Sequence, residues 1–94
     1  MSQHVICSAI ADRQVLSFRY KGQFRTVEPH LLGYDSDGDL TLSAWQISGQ
    51  GREGWRDFHV SKLSGLATTE QTFSGPRVGY NPLDQTIPRV VCRL

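Results

Sequence analysis

At Val15 the hydrophobic rhythm of this chain changes from helical to alternating, and it does not change back. Before that point, Val5, Ile6, Ala9 and Ile10 share one face of a short helix, predicted over residues 3–13 with Ser2 as its N-cap. After it, Leu16, Phe18 and Tyr20 point one way and Ser17, Arg19 and Lys21 the other, the period of a half-buried strand. Lys21-Gly22-Gln23 is a tight connection, and Phe24 to Glu28 reads as the returning strand of a hairpin. Pro29 has no N–H for a ladder, so the sheet must bend or lose pairing there.

His30 to Tyr34 resumes extended structure, and Asp35-Ser36-Asp37-Gly38-Asp39 is a polar turn leading into Leu40–Ile47. The loop Ser48–Gly54 carries three glycines and Arg52, which predicts an exposed, mobile connection. Trp55 to Val60 is a further strand, Ser61 to Gly65 a turn or single helical turn, and Leu66 to Phe73 another strand. The remainder differs in character. Gly75-Pro76, Gly79, Asn81-Pro82 and Pro88 forbid a long helix or a regular central strand. Val78, Tyr80, Leu83, Ile87, Val90 and Val91 still supply apolar anchors, so this segment wraps the domain or reaches a partner, with an edge strand over Val90–Leu94. The expected organisation is a domain over residues 1–73 and an extended tail over residues 74–94. One helix, about five short strands and Gly-rich turns describe a mainly β fold. We expect a small Sm/SH3-like barrel with an N-terminal helix, because closure removes exposed strand edges.

Ninety-four residues leave room for one core. No apolar run exceeds three residues, as in Val5-Ile6-Cys7 and Ala9-Ile10-Ala11, which excludes a membrane-spanning helix and a signal-peptide core. A formal charge of +1 argues against a nonspecific nucleic-acid coat but leaves a local basic site open. Eight of the ten basic residues are arginine, a preference shared by anion-binding surfaces and by chains of biased genomic composition. Cys7 and Cys92 lie at opposite ends of the chain, so the expectation is two small buried thiols in a reducing, cytoplasmic setting. His4-x-x-Cys7 has no second close-spaced pair to complete a metal site.

Catalytic patterns are lacking: no nucleophile elbow, P-loop or paired-histidine motif occurs. Asp35-x-Asp37-x-Asp39 alternates like a calcium loop, but its glycine is fourth and Gln46 stands where the closing Glu belongs. We read it as a turn, with no metal and no cofactor. Arginines and aromatics interleave more informatively. Arg19, Tyr20 and Arg25 lie in the first hairpin, Trp45 on a middle strand, and Trp55, Arg56 and His59 on a later one. A cationic wall with aromatic faces holds single strands through phosphate contacts and base stacking, but spacing alone favours reading the aromatics as core and rim packing and the arginines as solvated.

The chain resembles the WYL domain, a small Sm/SH3-like module found mostly in bacterial and phage-related regulators. The matching segments are Ala9-Ile10, Leu16-Ser17-Phe18-Arg19-Tyr20, Arg25 through Leu32, Gly38 with Leu40-Thr41-Leu42-Ser43-Ala44-Trp45, and Arg56 through Leu63, together spanning about residues 5–73. Leu40-Thr41-Leu42 stands where the family has Trp-Tyr-Leu, and His59 and Lys62 stand where it has two arginines. The resemblance implies a non-catalytic, ligand-sensing module for transcription regulation or phage defence that binds single-stranded nucleic acid or nucleotide-like anions. Tyr20, Arg25 and Lys62 match the family's ligand-contacting positions, His59 matches by position only, and Trp45 follows the naming segment. We therefore expect Arg19, Arg25, Arg56, His59 and Lys62 to meet phosphates, with Tyr20 and Trp45 stacking on bases. The alternative is a protein–protein or dimerisation module working through residues 74–94.

Overall fold

The computed structural model describes residues 2–49 and 53–94. Helix α1 (Ser2–Asp12) precedes five strands: β1 (Gln14–Tyr20), β2 (Gln23–Tyr34), β3 (Leu40–Gly49), β4 (Gly54–His59) and β5 (Leu63–Thr72). A 3-10 turn, Val60–Lys62, joins β4 to β5, and β6 (Arg89–Arg93) closes the tail. All pairings are antiparallel, in the order β4-β3-β2-β1-β5, with β6 beside β2.

Local chemistry accounts for the connections. Tyr20 pairs with Gln23 across a two-residue turn whose Lys21 and Gly22 have φ of 53° and 75°. Both central residues of such a turn need positive φ, which glycine adopts freely and Lys21 adopts at some cost. The acidic turn closes on itself, because the Asp35 carboxylate accepts the Asp37 and Asp39 amides at 3.0 and 2.9 Å.

Pro29 divides β2 without ending it. Its first half pairs with β1 up to Val27, opposite Leu16, while its second half takes β6 as neighbour from Leu31, opposite Arg93. The β2–β3 register also slips between Pro29 and Leu31. The bend expected from the missing N–H is thus a change of partner strand. β6 approaches so closely that a Cβ on Gly33 would lie 2.5 Å from the Arg89 carbonyl oxygen and 2.7 Å from Ile87. β5 begins at Leu63, earlier than its apolar pattern indicates. Gly65, at φ 62°, absorbs the register shift against β1 and lets the strand continue through the expected turn.

The core gathers Ile6, Ala9 and Ile10 of α1 with Leu16, Phe18, Val27, Leu32, Leu42, Ala44 and Phe58 from four strands. Each large buried side chain contributes about 1.5–3 kcal/mol. Phe58 of β4 packs edge-on against both Phe18 and Tyr20 of β1, at 5.0 Å between ring centroids in each case. Strands that are not neighbours in the sheet therefore meet through their side chains, so the sheet curls about its core. It does not close: β4 and β5 share no ladder among the described residues. Closure was the expectation; the 3-10 turn leads directly from one edge strand to the other without pairing them.

The cysteines also depart from expectation. β6 brings Cys92 opposite Leu32, where it forms a disulfide with Cys7 of α1 at a Cα separation of 5.8 Å. No described helix is long and apolar enough to cross a membrane. The predicted loop Ser48–Gly54 lies in part, at residues 50–52, outside the described residues.

Candidate functional site

The strands present two faces, and the arginine–aromatic set divides between them. On β1, Leu16, Phe18 and Tyr20 face the core; on β3 the inward residues are Leu42, Ala44 and Gln46. Trp45 therefore points outward, and Arg25, opposite Phe18 in the ladder, points inward.

Arg25 sits where the core opens at the β1–β2 turn. Its guanidinium lies 5.6 Å from the Tyr20 ring centre and 5.7 Å from that of Phe58. Its Nη1 donates to Gln46 Oε1 at 3.0 Å and its Nη2 to Gln23 Oε1 at 3.4 Å. Gln46 is fully buried, so its amide is a fixed acceptor. Arg25 Nε is buried and has no hydrogen-bond partner among the described residues. Lys21 adds a second cation 5.8 Å from the same tyrosine ring. Arg56 alternates with Phe58 on β4 and so shares this face, donating to the Trp55 carbonyl at 2.9 Å. The Tyr20 hydroxyl accepts from the His59 amide at 3.5 Å.

The outer face is organised by the tail. Trp45 and Trp55 are cross-strand partners in T-shaped contact at 5.6 Å. Arg77 lies 5.1 Å from the Trp45 ring centre and grips Glu28 with two bonds, Nε to Oε1 at 2.8 Å and Nη2 to Oε2 at 3.0 Å. Beside this pair, fully buried His30 touches Trp55, Phe73 and Tyr80 at 4.8, 5.6 and 5.3 Å. The Arg77 amide donates to His30 Nε2 at 3.1 Å, which leaves Nδ1 to carry the proton and donate to the Glu28 carbonyl at 2.8 Å. Burial, the largest influence, pulls the His30 pKa below its ordinary value and keeps the ring neutral.

No known protein-family model and no curated protein matches this sequence. A solved structure does. The chain is similar in fold to proteasome accessory factor B/C (PafBC) of Arthrobacter aurescens, with a TM-score of 0.71 and 21% sequence identity. The match takes in 86% of this chain and 13% of that one.

Placed on this fold, the sequence-predicted residues fall into three groups. Tyr20, Arg25 and Arg56 share the inward face. Trp45 and His59 lie on the opposite one, where His59 Nε2 is 3.5 Å from Asp35 Oδ2. Arg19 and Lys62 are exposed, on β1 and in the 3-10 turn. The expected wall with Trp45 stacking beside Arg25 is therefore absent. Asp35, Asp39 and His59 bring their donor atoms within 4.8 Å of one another, the described set nearest to a metal-ligand group. Asp35 is already engaged, however. Backbone amides, first that of Asp39, hold its carboxyl below the usual range. Glu28, His30, Arg77 and Tyr80 were missed by sequence reasoning. His30 follows a proline like many loop residues, and Arg77 lies 49 positions from Glu28.

Proposed function

We propose that this chain is a non-catalytic regulatory module that binds an anion at its Arg25 end, the phosphate of single-stranded nucleic acid or a nucleotide. The observation that carries this reading is the condition of Arg25. Among the described residues it has no carboxylate partner, it is held between two rings by neutral amides, and its buried Nε is unsatisfied. A buried donor without a partner costs about 1–3 kcal/mol and calls for an occupant. Lys21 and Arg56 enlarge the positive field on the same side. The WYL-domain resemblance supports the same reading, as does the fold shared with the solved structure. In that reading the curled sheet is an Sm/SH3-like barrel left open between β4 and β5, and the protein works in transcription regulation or phage defence. Arg19 and Lys62 then act as peripheral charges.

Titration of a labelled single-stranded oligonucleotide at several salt concentrations tests this. Saturable, salt-sensitive binding that weakens about ten-fold in Arg25→Ala supports it. No binding at low salt, or unchanged binding in the variant, rules it out.

A second reading is a protein-interaction module built on the tail. Val78 and Leu83 are 92% and 76% exposed there, which is unusual for large apolar side chains on a wrapped segment. Co-purification of a partner that survives high salt and is lost in Val78→Ser with Leu83→Ser would favour it.

A further inference from the structure

The outer face holds a second seat for a cation, constructed like the one Arg77 fills. Arg77 rests on an indole and meets a carboxylate, the pairing that suits a planar guanidinium. One strand away, Trp55 and Tyr80 lie nearly parallel, 6.3 Å apart and 23° from coplanar. Together with Asp57 and Asp84 they line a cavity of about 280 Å³ between the outer face of β3 and β4 and the tail.

Both rings are fixed by bonds directed along the tail. Trp55 Nε1 donates to the Val78 carbonyl at 2.9 Å and the Tyr80 hydroxyl to the Leu94 carbonyl at 3.3 Å. Asp84 is held too, since its Oδ1 accepts from the Thr86 amide and hydroxyl at 2.9 and 2.8 Å. Asp57 bonds to the Ser43 side chain. Partial burial, then the charge of Asp84, raises the Asp57 carboxyl above its ordinary pKa. Two carboxylates thus repel across a shaped, aromatic-walled space. No described lysine or arginine forms an ion pair with either of them, and His59, whose charge acts on Asp57, already faces Asp35. A neutral or anionic occupant leaves that repulsion in place; a cation removes it.

We propose that the cavity lined by Trp55 and Tyr80 binds a guanidinium group, with Asp57 and Asp84 as its counter-charges. The group is carried either by a small free molecule or by an arginine side chain of a partner protein. Its size suits a guanidinium and a short stem and is small for a whole drug-sized ligand, which needs about 300–1,000 Å³. The site lies on the opposite face from Arg25 and is independent of what binds there.

The test is a heteronuclear NMR titration of the intact chain with argininamide. We expect saturable shifts of the Trp55 indole N–H and the Asp57 and Asp84 amides at millimolar ligand. Asp57→Asn and Asp84→Asn should each weaken binding about five-fold while the spectrum stays dispersed. Citrullinamide, the uncharged urea counterpart, should not compete. A short peptide with a central arginine that binds more tightly than argininamide assigns the group to a protein partner; equal affinity assigns it to a free guanidine. No saturable shift, equal binding of citrullinamide, or full affinity in both folded variants overturns the proposal.

Discussion

Arg77 and Arg25 occupy opposite faces of one sheet, and both lie against aromatic rings, yet the chain treats their charges in opposite ways. Arg77 meets both oxygens of Glu28, a buried carboxylate, so its charge is spent inside the molecule fastening the tail. Among the described residues, Arg25 is offered the amide oxygens of Gln23 and Gln46 and no carboxylate. These orient a guanidinium without neutralising it. One arginine is a rivet, and the other is a preset donor. Counting basic residues along the sequence cannot separate the two roles, because the difference lies in which acid stands opposite.

That contrast can be broken experimentally. The largest effect is expected on the fastened side. Replacing Cys7 and Cys92 together by serine, or reducing the disulfide, should lower the unfolding free energy by about 2–4 kcal/mol, because the closed loop is long. Denaturant titration with and without reductant measures this, and oligonucleotide affinity at the Arg25 end should stay unchanged. Next, Arg77→Ala should lower the melting temperature by several degrees, since Glu28 then remains buried without its partner. Arg25→Ala should reverse the pattern, weakening oligonucleotide binding about ten-fold while the melting temperature holds. If Arg77→Ala costs binding and Arg25→Ala costs only stability, the assignment of the two roles fails.

A smaller effect should follow pH. His30 binds a proton less readily when folded than when unfolded, where its ordinary value is 6.5. The unfolded chain therefore takes up more protons below about pH 6.5, so stability should fall from there and level off below the folded value. Melting temperatures between about pH 7.5 and 5.5 should show this decline, and His30→Gln should flatten it. The smallest changes are expected for Arg19→Ala and Lys62→Ala. Both are exposed, so each should leave stability within about 0.5 kcal/mol and reduce binding less than Arg25→Ala does.

Much of the fold was legible because it depends on local chemistry. The alternation from Val15, the positive-φ turn at Lys21-Gly22, the acidic turn and the break at Pro29 all act over a few residues. The site was less legible, for a reason of parity. Arg25 and Trp45 are both odd-numbered, but the first half of β2 turns its odd residues inward and β3 its even ones. The register slip between Thr26 and Val27 lies between them as well. Sequence fixes alternation within a strand; it does not fix which set faces the core of the next. Contacts across the whole chain, such as Cys7 with Cys92 and Glu28 with Arg77, depend on where the tail lands. Nothing local encodes that.

The Cys7–Cys92 bond also sets the mechanics of the domain. It turns the segment between these residues into a covalent ring that contains almost the entire sheet. A pull applied outside the two cysteines runs along the start of α1, through the sulfurs and out past β6, loading the last rung of the β2–β6 ladder, Arg93 opposite Leu31, and bypassing the rest. In the oxidised chain the strands enclosed by the ring carry no load, and reduction exposes them to force.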